Sequence, residues 1–468
     1  MAMTVSWASK ELACDTPTSY RLPLEILLDI INTCLFTYKS ELEGIDEQAV
    51  SRTLRAFALT SHAFLSHSQS HLFRTVKLTR QSLYEKFLSC LQSSSARCRD
   101  DLGVGKHVKE LVLWESHLSI ALHGAFQELE PKLPRLSLLE LRCDSGFDPD
   151  KVFFSGLNVI SQTITHLELT ASFKTFDDWS RFIMSFTRLD SLSCIGTSFQ
   201  IGQHNPPIVY PPSEGGPNDP TRYLRSLKCL KISSPPIGGF PSAINWFASI
   251  FCNGTALEEL SVTFHRFHSH EDVVALNRLF QQCGSTLRRL DMSTHAVPKV
   301  SGYLDPSPLK KLESFTLNGH AYFEDNVVIA AQDMSTLIRN PSCPMAQSIT
   351  SVKITCFLPS LRLRSSGNTA ATYTARVRHE RATKAVKALH AFDEILDHPA
   401  FVKLEDIFIR LTLSTPHKEE PRGLRLHGLF PKMKAKMDAR AAGGDSRVSN
   451  GLVVRVWDEE DCVWFNLQ

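Results

Sequence analysis

The pattern L-x-x-L-x-L recurs along most of this chain and constrains its fold more than any other feature. Copies open at Val108, Leu136, Ile164, Leu189, Leu227, Leu257, Leu287, Leu312, Ile349 and Leu404. Most successive copies start about 25–30 residues apart, the spacing of stacked structural repeats. Within a copy, apolar and polar residues alternate: Leu139 and Leu141 flank Glu140, and Arg142 follows. Period-2 alternation belongs to a strand with one buried face. Strands buried on both faces would read as continuous apolar runs, and these do not.

Helix-like segments lie between the copies. The clearest is Glu271–Phe280, with Glu271 and Asp272 at its start and Val274, Leu276, Leu279 and Phe280 as its apolar face. Acidic residues suit a helix N-terminus, and Gly284 is expected to close the helix in the left-handed conformation. Strand, turn, helix and turn make one coil of a right-handed solenoid. The fold class expected is therefore α/β, with the strands side by side in a curved parallel sheet on the concave face.

Residues between the inward apolar positions should line that face. They include Trp114, Glu140, Arg142, Glu168, Lys231, Glu259, Arg289, Asp291, Lys353, Phe408 and Arg410. Aromatic and Arg side chains often anchor protein interfaces. Trp114, Arg142, Glu168, Arg289, Phe408 and Arg410 are the candidate target-binding residues, unless overlying loops cover Trp114 and Phe408. Three stretches interrupt the array, near 201–221, 365–381 and 415–450, and a last strand is expected at Leu452–Val456.

Ahead of the repeats lies an apolar helical module. Leu22-Pro23 suits a helix start, and Ile26, Leu27, Ile30 and Ile31 follow at helical spacing. A second helix is expected from about Val50, burying Leu54, Phe57 and Leu59, and a third carrying Phe64, Leu72 and Phe73. So short a bundle has a marginal core and needs a neighbour to cover it. The boundaries expected are a flexible tail over 1–20, the helical module over 21–78 and the repeats over 79–468.

The helical blocks resemble an F-box, particularly the F-box-like domains of fungal proteins. The matches are Leu22-Pro23, Glu25, Ile26, Ile30 and Ile31; then Ala58-Leu59-Thr60-Ser61 with Phe64, where the family often has Trp; then His71-Leu72-Phe73-Arg74 with Val76. The repeats resemble the longer, less regular form of the leucine-rich repeat. Together these resemblances imply the substrate-recognition subunit of a Skp–cullin–F-box type ubiquitin ligase. Leu22, Pro23, Leu24, Ile26, Leu27, Ile30, Leu59 and Phe64 would contact the Skp-type adaptor of the cullin ligase, and the repeats would hold an unknown target protein. The alternative is a repeat scaffold outside ubiquitination, with the helices as its cap.

Little else points to chemistry. The net charge of +2 gives no strong attraction to nucleic acid or membrane, and neither is expected as a partner. The twelve cysteines show no C-x-x-C spacing, and Cys143, Cys194, Cys229 and Cys356 fall in expected strands as small apolar residues. Such usage suits a reducing compartment. With no signal-peptide pattern at the start and no apolar run long enough to span a bilayer, the cytoplasm or nucleus is expected, and Asn253-Gly254-Thr255 is no sugar acceptor there. His265, His268 and His270 are read as a polar loop, and the basic run from Arg376 to Lys387 as a solvated helix face. Gly103-Val104-Gly105-Lys106 lacks the spacing and hydroxyl of a phosphate loop. No enzyme motif occurs, and neither catalysis, cofactor nor metal is expected.

Overall fold

The computed structural model describes residues 47–60, 62–97, 103–114, 129–147, 160–199, 224, 226–233, 240–264, 270–294, 305, 307–319, 347–358, 390, 393–394, 403–404, 406–413, 432, 435, 442, 453–458 and 463–467. Contacts divide the chain into two compact units, Met1–Thr75 and Val76–Gln468.

In the first unit, α1 (Glu47–Thr60) packs against α2 (His62–Leu72). Leu54 is buried, and Val50, Phe57 and Ala58 are half-buried around it, the spacing of one helical stripe. The Phe57 ring meets Phe64 of α2 edge-on, centroids 6.1 Å apart. Leu59 departs from expectation. It is 88% exposed, because it lies about 140° around the helix from Leu54 and falls outside the stripe. The helix expected over Leu22–Ile31 lies outside the described residues.

The second unit is an α/β assembly built on one sheet. Its strands are β1 (Thr75–Leu78), β2 (Glu110–Trp114), β3 (Leu138–Phe147), β4 (His166–Phe173), β5 (Ser191–Cys194), β6 (Ser198–Phe199) and β7 (Cys229–Ser233). There follow β8 (Glu259–Phe264), β9 (Arg289–Thr294), β10 (Ser314–Gly319), β11 (Ser351–Leu358), β12 (Asp406–Leu413), β13 (Val453–Asp458) and β14 (Val463–Leu467). Strand order follows chain order, except that the short β6 pairs with β4 beyond the end of β5. All ten repeat copies supply neighbouring parallel strands, from β2 to β12, and β13 extends the parallel run. The last strand, β14, was not expected. It turns back antiparallel on β13.

Successive repeats join through one backbone device. The carbonyl of Lys109 accepts from both Ser137 N–H and Leu138 N–H, at 2.9 and 3.0 Å. The carbonyls of Ser137, Thr165, Asp190, Lys228, Glu258, Arg288 and Glu313 each do the same for the next repeat. These bonds satisfy backbone groups that would otherwise be orphaned at the strand entrance. They also set the register: the Leu139, Leu167, Leu192, Leu230, Leu260, Leu290, Phe315 and Val352 positions pair in one row. Each of those side chains is at most 3% exposed.

A further buried position precedes most copies. Leu133, Phe186, Leu224 and Leu309 each lie three residues ahead of the opening leucine, and all are buried. There the chain turns into the strand: Leu136 N–H reaches Leu133 O, and Leu227 N–H reaches Leu224 O.

Helices cover the apolar face. They are α3 (Gln81–Arg97), α4 (Phe176–Met184), α5 (Phe240–Ile250) and α6 (His270–Cys283). The N-terminal pair β1 and α3 was not expected. Tyr84, Phe87 and Leu91 of α3 are buried at helical spacing. Thr175 caps α4 by accepting from Asp178 N–H at 3.1 Å, and Asp177 and Asp178 occupy the first turn, where carboxylates favour the helix dipole. Phe182 of α4 meets Phe173 of β4 at 5.6 Å. Trp179 packs on Trp246 of α5 at 5.1 Å and Phe247 at 5.9 Å, and α5 packs on α6.

Two glycines serve close approach. Gly284 does not adopt the expected left-handed conformation; instead a Cβ there would lie 2.4 Å from Pro308 O and 2.6 Å from Phe280 O. At Gly105 a Cβ would lie 2.0 Å from Lys132 O, so this glycine lets the first turn meet the second repeat's entrance. The stretches 201–221 and 365–381, most of 415–450, the basic run 376–387, and His265 and His268 lie outside the described residues. His270 opens α6.

Candidate partner-binding surfaces

Alternation along the strands sorts every repeat into two faces. Leu111, Leu139, Leu167, Leu192, Leu230, Leu260 and Leu290 lie on the helix-covered face. Their neighbours one residue on, Val112, Glu140, Glu168, Ser193, Lys231, Ser261 and Asp291, pair in register on the opposite face, and Thr316, Lys353, Phe408 and Val453 continue the row. A second row begins with Trp114, Arg142 and Thr170. Glu259 and Arg289 pair in a third. Trp114, Arg142, Glu168 and Arg289 therefore lie on the face opposite the helices, exposed among the described residues, whereas the side chains of Phe408 and Arg410 lie outside those described.

At one end, Trp114 is 40% exposed and the Arg142 guanidinium lies over its ring, 5.3 Å from the centroid. Arg142 Nε also donates to Glu140 Oε1. The carboxylate fixes the guanidinium over the indole, so both present a preorganised flat surface. Glu168 is exposed on the next strand, whereas Val112 beside them is buried although it lies on the open face.

Farther along, Arg289 Nη1 donates to Glu259 Oε1 at 2.8 Å. Asn318 Nδ2 donates to Asp291 Oδ1 at 3.0 Å and to Ser293 Oγ at 3.3 Å. Burial pushes the Asp291 carboxyl above its ordinary value; the Asn318 hydrogen bond, Lys231 and Lys353 pull it partly back. Exposed pairs such as Arg289–Glu259 contribute at most about 1 kcal/mol, so they set the pattern of charge more than stability.

The cysteines behave as apolar residues. Burial raises the Cys194 thiol to about 12, and Cys283 likewise, which keeps both protonated and unreactive. Among the described residues, no three His, Cys, Asp or Glu side chains converge as a metal site, and no helix is long and apolar enough to cross a membrane.

Of the expected adaptor contacts, Leu22, Pro23, Leu24, Ile26, Leu27 and Ile30 lie outside the described residues. Leu59 is exposed, and Phe64 is half-buried against Phe57. No local sequence motif marks the Trp114–Arg142 stack or the Asn318 network. Only register brings their members together, across about 25–30 residues of intervening chain.

No protein-family model matches this chain, and a match to a curated protein is likewise lacking.

Proposed function

We propose that this chain is a non-catalytic substrate receptor of a Skp–cullin–F-box type ubiquitin ligase, working in the cytoplasm or nucleus. An F-box-like module over residues 21–78 docks the adaptor. Residues 79–468 form leucine-rich-repeat coils of a curved solenoid whose concave side holds a target protein. Tethering then makes ubiquitin transfer effectively intramolecular. The observation that carries this reading is the open sheet face, where polar and charged positions continue strand after strand beside the exposed Trp114. Leu59 supports the docking half: a fully presented leucine on the helical unit is a ready contact for a partner.

Co-purification tests the reading. The full chain should recover a Skp-type adaptor together with a cullin. Replacing Ile26 and Ile30 by Asp should abolish that recovery, and Leu59→Asp should weaken it. Undiminished recovery by the double variant refutes adaptor docking through these helices. Target capture with no adaptor at all favours the plain scaffold.

A further inference from the structure

Outside the helices, two large apolar side chains are exposed among the described residues: Trp114 at 40% and Ile195 at 54%. The register brings them into one row of the open face. Trp114 of β2 pairs with Arg142 of β3, and Arg142 with Thr170 of β4. Ile195 continues the row beside Thr170, because Leu169 pairs with the buried Cys194 and Ile195 N–H donates to Leu169 O at 3.0 Å. A bulge holds Ile195 out from the sheet. Between the Leu169–Cys194 and Ser172–Ser198 pairs, β4 has Thr170 and Ala171, whereas the facing chain has Ile195, Gly196 and Thr197. The extra residue is taken up at Gly196, where φ is +68°, and Thr197 Oγ1 ties the far side back to Leu169 O at 2.9 Å. Such a bulge re-aims a side chain and fixes where it points.

Between the two apolar ends the charges do not balance. The Arg142 guanidinium lies over Trp114 of β2 and donates to Glu140. Glu168 stands on β4, on the other side of β3. It is exposed, and its carboxylate has no ion pair or hydrogen bond among the described residues. The arginine is therefore committed to Trp114 and Glu140, and the charge left unmatched is negative.

We infer that this patch binds an extended segment of the target protein that carries a lysine or arginine midway between two large apolar side chains. This inference rests on the proposal that the open face holds a target. Trp114 and Ile195 are three strand spacings apart, about 14 Å. Residues i and i+4 of an extended chain are separated by about the same distance and project to the same side. Residue i+2 then lies over β3 and β4. Glu168 is about 7 Å along the strand from this row, within reach of a long basic side chain. Covering Trp114 and Ile195 supplies the attraction, and Glu168 selects the cation. Nucleic acid is disfavoured, because its phosphates would meet the carboxylates of Glu140 and Glu168.

The test uses the full chain and three labelled peptides: S-L-S-K-S-L-S, the same peptide with glutamate for the lysine, and the same peptide with serine for both leucines. The parent should bind the first at least about tenfold more tightly than either control. E168K should reverse the charge preference and favour the glutamate peptide. I195S should weaken binding of the lysine peptide about tenfold. Both variants replace exposed side chains and should melt as the parent does. The inference is overturned if the parent binds none of the peptides or shows no preference for the lysine peptide. Undiminished binding of that peptide by E168K or by I195S overturns it equally. Lysine-selective binding by a chain that recovers no adaptor would leave this inference standing while the ligase reading falls. Adaptor recovery without lysine selectivity would refute this inference alone.

Discussion

Replacing Trp246 by alanine tests how neighbouring repeats are held together. Trp246 sits on α5, is 4% exposed, and meets Phe176 at 6.3 Å, Trp179 at 5.1 Å and Phe247 at 4.9 Å. Truncating a buried tryptophan costs about 3–5 kcal/mol through lost burial and the cavity left behind. Of that, the ring contact with Trp179 should account for about 0.5–1.5 kcal/mol beyond area burial. Trp246→Phe should behave differently. The indole N–H is buried with no hydrogen-bond partner among the described residues. Its removal regains about 1–3 kcal/mol of desolvation, which offsets most of the lost contact area. Urea unfolding followed by far-ultraviolet circular dichroism would measure both variants without relying on tryptophan emission. A double-mutant cycle with Trp179→Ala would isolate the contact between α4 and α5. The reasoning is refuted if Trp246→Ala costs under about 1 kcal/mol, or if Trp246→Phe costs as much as alanine.

Asp291→Asn should stabilise the protein near neutral pH. A carboxyl raised in the folded state holds its proton longer than in the unfolded chain. Stability from this group is therefore greatest below the ordinary carboxylate value of 3.8 and is lost as pH rises through the folded value. Melting curves against pH should show the parent and the Asn variant converging under acid, and a variant less stable than the parent at neutral pH would contradict this. Gly284→Ala should cost about 1–3 kcal/mol, because its Cβ would strike two backbone carbonyls; a neutral substitution in urea unfolding would show that the close approach is not needed. Iodoacetamide mapped by mass spectrometry should label the exposed Cys252 well before the buried Cys194 and Cys283. Equal labelling rates would mean the repeats open far more readily than their packing implies.

The helix-like segments between serial copies implied parallel strands, and the alternation within each copy was enough to assign the strands and their buried faces. Such information is local: Leu139 and Leu141 specify their face whatever follows them. The positions of Trp114, Arg142 and Arg289 on the face opposite the helices follow from the same parity. Leu59 shows where local reading stops, since a leucine beside a helix's stripe resembles one within it until the helix is packed. Gly284 shows the same limit: its need for room arises from the Pro308 carbonyl, 24 residues further along the chain. Which residues meet across repeats was decided only by tertiary structure. The Arg142–Trp114 stack and the Asn318 network depend on register. That register is set by backbone hydrogen bonds between repeats, joined at the same carbonyls by the hydroxyls of Ser137, Thr165 and Thr350.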